Sequence, residues 1–412
     1  MTKRVVLAYS GGLDTSVAVR WMTEEWGVEV IALAADVGQG EDLQAASQRA
    51  LEAGAVEAHV ADLRRSLGEE FLAPAIAANA LYENRYPLIS SLSRPVIVRR
   101  LVEAASEFGA DAIAHGCTGK GNDQLRFEVA ARALAPDLEV LAPVRVWGLS
   151  RADAIAYAAE RGIPVTVRAD NPYSIDQNLW GRAVECGVLE DPWRQPPEEV
   201  FEQTRTGRFD PFELTIGFEQ GVPVSLDGDA LPVHELVARV GALVGPTGWG
   251  RIDMVENRRV GIKTREIYEA PAALALIAAH RDLEGLTLER DVAHEKVRME
   301  HRWAEVVYDG YWFSPLREAL DAFVASTQRW VSGEVRLLCA PARCDVVGRR
   351  SPHALYEYEM ATYDAEDAFR HEDSAGFVRL WGLSTQTWAR RQGTLRPEAG
   401  RQRTLAPDGK SS

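Results

Sequence analysis

The sequence has few cysteines and no long apolar run. Four cysteines occur in 412 residues. None forms a C-x-x-C pair, and the spacing of Cys339 and Cys344 suits neither a zinc knuckle nor a redox dithiol. We therefore expect Cys117, Cys186, Cys339 and Cys344 to be reduced thiols. No stretch of about 18 residues is apolar and free of charge, so a transmembrane helix is not expected.

Positive charge is also in deficit. Lysine and arginine number 46 against 61 aspartates and glutamates, giving a net charge of −15. This balance disfavours a nucleic-acid partner, because a phosphate backbone selects basic surfaces. The N-terminal apolar run Val5–Ala8 leads directly into glycines, without the longer apolar region of a signal peptide. We expect a cytoplasmic protein with no membrane partner.

The first 165 residues alternate short apolar runs with helical periodicity, which is typical of βαβ units on a parallel sheet. The predicted strands are Val5–Tyr9, Glu29–Ala34, Ala55–Ala61, Ala112–His115 and Val140–Ala142. The predicted helices are Ser16–Trp26, Asp42–Ala53, Arg94–Phe108 and Arg126–Leu134. The fold class is therefore α/β: a doubly wound parallel-sheet, Rossmann-like nucleotide-binding domain over residues 1–165, with ligands at the carboxyl ends of its strands.

The pattern changes after residue 165, where prolines break the chain into short pieces. An α+β synthetase domain is predicted over residues 166–362. It would contain paired strands Phe212–Phe218 and Pro223–Leu226, a strand at Glu334–Cys339, and helices at His234–Val244 and Pro271–Arg281. A helical C-terminal extension, starting with Asp364–Phe369, is predicted over residues 363–390. Residues 391–412 have the composition of a disordered tail.

The strand ending at Tyr9 is followed by Ser10-Gly11-Gly12-Leu13-Asp14-Thr15-Ser16 and then by a helix. A helix N-terminus with glycines before it collects anions, because free N–H groups approach phosphate oxygens closely. The alternative is a simple tight turn in which Asp14 or Thr15 caps the helix. The motif is neither the G-x-x-x-x-G-K-[ST] loop nor G-x-G-x-x-G. It resembles the S-G-G-x-D-[ST] loop of enzymes that split ATP into AMP and pyrophosphate.

Four further polar blocks accompany this loop, in the segments 80–86, 115–128, 171–176 and 250–258. Together with Ala8–Ser16 they resemble the argininosuccinate synthase family in order and spacing, over residues 1 to about 385. The resemblance implies that ATP activates the ureido oxygen of citrulline as an adenylate, and that aspartate then displaces AMP. It also implies Mg²⁺ on the phosphates and a homotetramer in which the C-terminal extension reaches neighbouring subunits.

The resemblance also implies the site residues. The ATP site would comprise Ala8, Tyr9, Ser10, Gly11, Gly12, Leu13, Asp14, Thr15, Ser16, Ala35 and Gly116. Citrulline would contact Tyr86, Ser91, Asn122, Arg126, Ser174, Ala183, Glu256 and Tyr268, and aspartate would contact Thr118, Asn122 and Asp123. Asp14, as an outer partner of Mg²⁺, and Asp123 are the catalytic candidates, and no direct metal ligand is identified. Ala183 departs from the family pattern, in which many members carry serine.

Ordinary structural roles remain open for several of these residues. Tyr86 and Tyr268 could be half-buried aromatics, Glu256 a solvated charge, and the loop around Asn122 and Asp123 a surface turn. His115 is expected to make a structural hydrogen bond rather than to act chemically. Two competing functions are a tRNA-modifying enzyme with the same loop and a nucleotide-sensing module without catalysis. Charge and cysteine content disfavour the first, and the intact polar blocks disfavour the second.

Overall fold

A computed structural model describes residues 3–165, 172–207, 210–363 and 368–392. The segment 166–171, which includes the predicted domain boundary and Asn171, lies outside the described residues, as do most of the predicted run Asp364–Phe369 and the tail beyond Gln392. Residues 3–355 belong to one compact unit, and residues from Tyr356 onwards belong to a second.

A five-stranded parallel sheet forms the N-terminal part of the first unit. Its strands are β1 (Arg4–Ala8), β2 (Glu29–Asp36), β3 (Glu57–Asp62), β4 (Ala112–Ala114) and β5 (Glu139–Leu141). They lie in the order β3-β2-β1-β4-β5, and every neighbouring pair is parallel. All five predicted strands are present, with ends shifted by one or two residues. The order reverses direction beside β1, which is the switch point where open α/β sheets bind ligands.

Helices cover both faces of this sheet, as the predicted doubly wound fold requires. One core contains Val5 and Leu7 of β1 with residues of α1 (Leu13–Trp26), α2 (Leu43–Ala53) and α8 (Arg151–Glu160). The other contains Val6 with residues of α5 (Ile89–Glu107) and α6 (Asp123–Leu134). The shorter helices are α3 (Arg64–Ser66), α4 (Ala73–Ala77) and α7 (Pro143–Val146), and a π-helical segment spans Leu67–Leu72.

Three helices begin three or more residues earlier than predicted. Helix α1 begins at Leu13 rather than Ser16, α5 at Ile89 rather than Arg94, and α6 at Asp123 rather than Arg126. Prolines favour the first turn of a helix, and Pro95 directly follows the predicted start at Arg94. Here Pro95 lies inside α5, where it has no N–H to donate to the Ser91 carbonyl one turn earlier.

The rest of the first unit contains two antiparallel sheets. One has the order β10-β9-β8-β13-β14, and the other has the order β11-β12-β7-β6. Their strands are β6 (Ser174–Asn178), β7 (Gly181–Glu185), β8 (Phe212–Glu219), β9 (Val222–Leu226), β10 (Asp229–Ala230), β11 (Arg251–Asn257), β12 (Lys263–Glu269), β13 (Gly333–Ala340) and β14 (Arg343–Arg350). The predicted β8–β9 hairpin is confirmed, as is the strand in β13. Cys339 and Cys344 are paired across β13 and β14 as free thiols, with their sulfur atoms 3.7 Å apart.

Four long helices pack with these sheets around one large core. They are α9 (Val233–Val244), α10 (Pro271–Thr287), α11 (Arg290–Tyr308) and α12 (Pro315–Gln328), and short 3₁₀ segments occur at Gly187–Glu190, Glu198–Val200 and Gly245–Thr247. The sequence predicted α9 and α10 but not α11 or α12. Helix α11 is rich in charged residues and buries mainly its C-terminal turns, including Trp303 and Tyr308, so few apolar residues mark its first turns in the sequence.

The second unit contains three helices among its described residues: α13 (Tyr358–Ala361), α14 (His371–Trp381) and α15 (Leu383–Gln392). The predicted helical extension is therefore confirmed. Its last helix, α15, ends two residues beyond residue 390, where the extension was predicted to end. The helices carry large exposed apolar side chains, namely Phe377, Leu380, Trp381, Leu383 and Trp388. No helix among the described residues is both long enough and apolar enough to cross a membrane.

Candidate active site

The turn between β1 and α1 has the geometry of an anion site. Gly12 is the N-cap of α1, and no side chain caps the helix, so its first N–H groups are available to a ligand. The alternative in which Asp14 or Thr15 caps the helix is therefore wrong. Gly11 has a φ of +73°, a conformation that favours glycine. The Ser10 and Thr15 hydroxyl oxygens lie 3.1 Å apart beside the turn.

A cavity of about 790 Å³ opens over this turn. Eight of the eleven predicted ATP residues line it, namely Ala8, Tyr9, Ser10, Gly11, Gly12, Thr15, Ala35 and Gly116. Leu13, Asp14 and Ser16 are not in its lining; Ser16 is buried, with its hydroxyl 2.9 Å from the Tyr9 hydroxyl. Burial raises the pKa of Asp14, partly offset by the charge of Arg151.

The loop after β4 approaches the glycine turn closely. A Cβ atom on Gly116 would lie 2.8 Å from the Thr15 methyl carbon, so glycine permits this contact. The preceding His115 is buried, and its Nδ1 atom accepts a hydrogen bond from the Cys117 N–H. Burial lowers the pKa of His115 to about 4, which leaves the ring neutral at pH 7. The expected structural hydrogen bond of His115 is confirmed.

Asp123 connects the cavity to a second group of polar residues. One of its oxygens, Oδ2, accepts hydrogen bonds from Nε and Nη2 of Arg94, at 2.9 and 2.7 Å. The other, Oδ1, accepts one from Arg126 Nη1 at 2.7 Å. Arg94 Nη2 also donates to Asp176, on β6. Although burial opposes ionisation, the two guanidinium groups hold the pKa of Asp123 below its ordinary value.

Beyond Arg126 lies a buried cluster of aromatic and acidic side chains. The rings of Tyr86 and Tyr268 stack with centroids 4.4 Å apart, and both residues are almost fully buried rather than half-buried. The Tyr268 hydroxyl lies 2.8 Å from Glu256 and 2.8 Å from Glu266. Glu256 is only 3% exposed, so its interpretation as a solvated charge is wrong. Burial, reinforced by the Glu266 carboxylate, raises the pKa of Glu256 to about 7.

Tyr308, at the end of α11, joins these groups and was not predicted from the sequence. Its hydroxyl accepts a hydrogen bond from Asn122 Nδ2 at 2.7 Å and lies 3.1 Å from Glu256 Oε1. Its ring stacks on that of Tyr82, with centroids 3.6 Å apart. The Arg126 guanidinium lies 5.0 Å from the centre of the Tyr308 ring, and Arg126 Nε donates to the Tyr308 carbonyl.

The remaining predicted residues differ in their surroundings. Ser91 is buried, and its hydroxyl has no hydrogen-bond partner among the described residues, which fits a side chain awaiting a ligand. Ala183 on β7 pairs with Tyr268 on one side and Asp176 on the other. Ser174 and Thr118 are exposed. The structure therefore brings Asp123 into contact with Arg126, and Glu256 into contact with Tyr268, which stacks on Tyr86. Tyr308 links Asn122 and Arg126 to Glu256.

Four site residues escaped the sequence analysis. Arg94 and Asp176 lie within segments that were noted as a helix and as a polar block, but their mutual contact depends on the docking of β6 against α5. Glu266 and Tyr308 lie more than 130 residues after Asn122, and nothing local marks them as partners. Among the described residues, no cluster of three or more His, Cys, Asp and Glu side chains could hold a metal ion.

Comparison with known proteins shows the family of this chain. The model of the arginosuccinate synthase N-terminal HUP domain matches residues 4–164, and the model of the C-terminal domain matches residues 173–388. Proteins named argininosuccinate synthase are similar over nearly the whole chain. The protein from Halalkalibacterium halodurans is 52% identical over 94% of this chain and 95% of its own, and that from Thermosynechococcus vestitus is 55% identical over 94% and 98%. The chain belongs to the argininosuccinate synthase family.

The two argininosuccinate synthase domain models divide the site between them. The N-terminal model contains the glycine turn, Asp123 and Arg126, and the C-terminal model contains Glu256, Tyr268 and Tyr308. A third member of the argininosuccinate synthase family, from Trichodesmium erythraeum, is 54% identical over 94% of this chain and 98% of its own. A U34-tRNA thiolase structure from Methanococcus maripaludis has a TM-score of only 0.28 at 16% identity, over 42% of this chain and 61% of its own, which is too low to support an argument.

Proposed function

We propose that this chain joins citrulline to aspartate at the expense of ATP, producing argininosuccinate, AMP and pyrophosphate. The observation that carries the proposal is the continuity of the site: Asp123 lines the cavity above the glycine turn and is also ion-paired with Arg126, which borders the Glu256 cluster. A nucleotide at the turn and an amino acid at the cluster would therefore meet at Asp123. Holding reactants in this way supplies much of the rate in such couplings.

The reaction has two steps. In the first, the ureido oxygen of citrulline attacks the α-phosphorus of ATP, the bond to the β-phosphate oxygen breaks, and pyrophosphate leaves. In the second, the amine of aspartate attacks the ureido carbon of citrullyl-AMP, and AMP leaves with the bonding electron pair. Both nucleophiles belong to substrates, so the protein needs binding groups rather than a nucleophile of its own.

Each group of residues suits one part of this scheme. The free N–H groups at the start of α1 would hold phosphate oxygens. The guanidinium group of Arg126 suits the carboxylate of citrulline, and Glu256 suits its ammonium group. Asp123, with Thr118 and Asn122 nearby in sequence, suits the ammonium and carboxylate groups of aspartate. Ala183 would leave citrulline without one hydroxyl partner, a loss of about 1 kcal/mol if no backbone group replaces it.

Magnesium would accompany the phosphates. Mg²⁺ binds through one or two carboxylates together with phosphate oxygens and water, so the lack of a larger ligand cluster among the described residues fits this mode. Asp14, in the first turn of α1, would be an outer partner through water. Bound magnesium would neutralise charge on the departing pyrophosphate.

The assembly and the domain boundaries are also proposals. We infer that the protein is a cytoplasmic homotetramer. We assign α14 and α15 to contacts with neighbouring subunits, because their apolar side chains are exposed in the isolated chain. The functional domains would span 1–165, 166–362 and 363–390.

One assay tests the proposed reaction. The purified protein is incubated with ATP, citrulline, aspartate and Mg²⁺, and pyrophosphate and argininosuccinate are measured. Omitting aspartate should leave citrulline-dependent pyrophosphate formation limited to about one turnover, and omitting citrulline should abolish it. Pyrophosphate that forms without citrulline, or only with tRNA, would instead indicate a tRNA-modifying enzyme, and no turnover at all would indicate a nucleotide-sensing module.

A further inference from the structure

The glycine turn has no positive charge of its own. Its residues, Ser10 to Ser16, include neither lysine nor arginine, and Asp14 adds a carboxylate. Backbone N–H groups carry only partial charges, whereas the pyrophosphate portion of ATP carries several full negative charges. The protein as a whole has a net charge of −15. A cation on another element that faces the turn would therefore be important for attracting this ligand.

Arg49 of α2 is in that position. A Cβ atom on Gly11 would lie 2.8 Å from Arg49 Nη2 and 3.2 Å from the Ala46 Cβ. The guanidinium group therefore packs against the backbone of the turn at the point where the chain has φ of +73°. Arg49 lines the same cavity as Ser10, Gly11 and Gly12.

Arg49 differs from the other arginines of this cavity in having no carboxylate of the described residues as an ion-pair partner. Three arginines among the described residues line the cavity. Arg94 is paired with Asp123 and Asp176, and Arg182 is paired with Glu269. The Arg49 side chain interacts with that of Tyr9, and its Nε atom, like that of Arg182, is buried without a hydrogen-bond partner among the described residues. A partly buried, unsatisfied guanidinium donor is costly, and an anionic ligand would remove that cost.

The charge of Arg49 acts on the mouth of the cavity. It lowers the pKa of Tyr9 and of Glu41, in each case against a larger raising effect of burial. Glu52, one helical turn further along α2, also acts on Tyr9. Arg49 therefore lies close enough to act on Tyr9 and Glu41, which both line the cavity.

We propose that Arg49 binds the pyrophosphate portion of ATP and stays in contact with pyrophosphate as it leaves. This inference rests on the proposed function, since it assigns a further residue to the same nucleotide site. A guanidinium group presents several donors in a fixed plane and suits two phosphate oxygens at once. Arg49 would thus supply, from α2, the cation that other phosphate-binding loops carry within their own motif.

Binding of inorganic pyrophosphate with Mg²⁺ tests the assignment without turnover. Isothermal titration calorimetry is performed on the full-length protein and on the variants Arg49→Gln and Arg49→Lys. We expect Arg49→Gln to weaken pyrophosphate binding at least tenfold, about the value of one charge-assisted hydrogen bond. Arg49→Lys should weaken it less, because it keeps the charge and loses the fixed pair of donors. KM for ATP should rise in the same order, with KM for citrulline within about twofold.

Arg20→Gln is the matched control. Arg20 lies on α1 in the same domain, its guanidinium group packs near Gly54, and it does not line the cavity. The control should bind pyrophosphate as the wild type does, which separates a local contact from loss of net charge. An Arg49→Gln protein that binds pyrophosphate within twofold of the wild type overturns the assignment. If Arg49→Gln does not fold, the pyrophosphate affinity of Arg49→Lys is measured instead. An unchanged affinity in that variant also overturns the assignment.

The two proposals fail in different ways. A wild-type protein that makes no argininosuccinate contradicts the proposed function, whatever Arg49 does. An active wild type whose Arg49 variants keep their pyrophosphate affinity and their KM for ATP contradicts only the role of Arg49.

Discussion

The Tyr268 hydroxyl lies 2.8 Å from both Glu256 Oε2 and Glu266 Oε2, so one phenol bridges a buried and a partly buried carboxyl group. A hydroxyl has one proton to donate, and two carboxylates this close repel each other. The raised pKa of Glu256, about 7, follows from this repulsion together with burial, which is the larger cause. Near neutral pH the site therefore holds a proton that an ammonium group can displace.

Citrulline binding should consequently release a proton. The bound ammonium favours the ionised form of Glu256, so the affinity should rise with pH and level off above about 7. Calorimetry at pH 6.5, in buffers of different ionisation enthalpy and with a non-hydrolysable ATP analogue, should show release of a substantial fraction of one proton. The same titration at pH 8 is the control and should show little release. Equal proton release at the two pH values would contradict the role of Glu256.

Tyr308→Phe should weaken citrulline binding. The change removes the hydroxyl that accepts from Asn122 and lies 3.1 Å from Glu256, leaving two buried polar groups with one partner fewer. KM for citrulline should rise about five- to thirtyfold, while KM for ATP changes less than twofold. Tyr311→Phe is the matched control, since Tyr311 is 48% exposed. Equal effects of the two variants would show that the Tyr308 hydroxyl is not needed.

Arg94 should act as a positioning residue for Asp123. Its guanidinium group lowers the pKa of Asp123, so Arg94→Gln should raise that pKa and move the acid limb of kcat/KM for aspartate to higher pH. Arg94→Lys keeps the charge and should restore most of the profile. The control is Arg99→Lys. Arg99 lies on the same helix as Arg94 and forms an exposed ion pair with Glu70. A pH profile unchanged in Arg94→Gln would disprove the positioning role.

Asp14→Asn should slow the release of pyrophosphate much more than it weakens citrulline binding. The substitution removes the carboxylate expected to hold magnesium through water, and it leaves the backbone of the turn intact. A continuous pyrophosphate assay measures the turnover, and calorimetry measures the citrulline affinity. Unchanged turnover would exclude a role for the Asp14 charge.

Deleting residues 370–412 should reduce the number of subunits in the oligomer. The deletion removes α14 and α15, whose exposed apolar side chains we assign to contacts between subunits. Light scattering should show species smaller than the tetramer formed by the full chain. Deletion of 393–412 alone retains both helices and should leave the assembly unchanged. A tetramer that survives the larger deletion would place the contacts elsewhere.

The sequence by itself determined the α/β class, the five parallel strands and the glycine turn between β1 and α1. These features depend on local rules: alternating apolar runs, glycines between a strand and a helix, and contiguous polar blocks. It was less accurate for helix starts. A proline normally occupies the first turn of a helix, but Pro95 lies within α5, which begins at Ile89. It did not reveal α11, in which charged residues dominate and the buried apolar side chains lie mainly in the last turns.

Only the tertiary structure decided which charges meet. Arg94 contacts Asp123 and Asp176 because α5, α6 and β6 converge, and residues 82 positions apart become neighbours. Tyr308 reaches Asn122 across 186 positions of sequence, and the pKa of Glu256 depends on burial and on Glu266 through the β11–β12 pairing. The free donor of Arg49 is also invisible in sequence, because whether a cation finds a partner depends on which side chains surround it after folding.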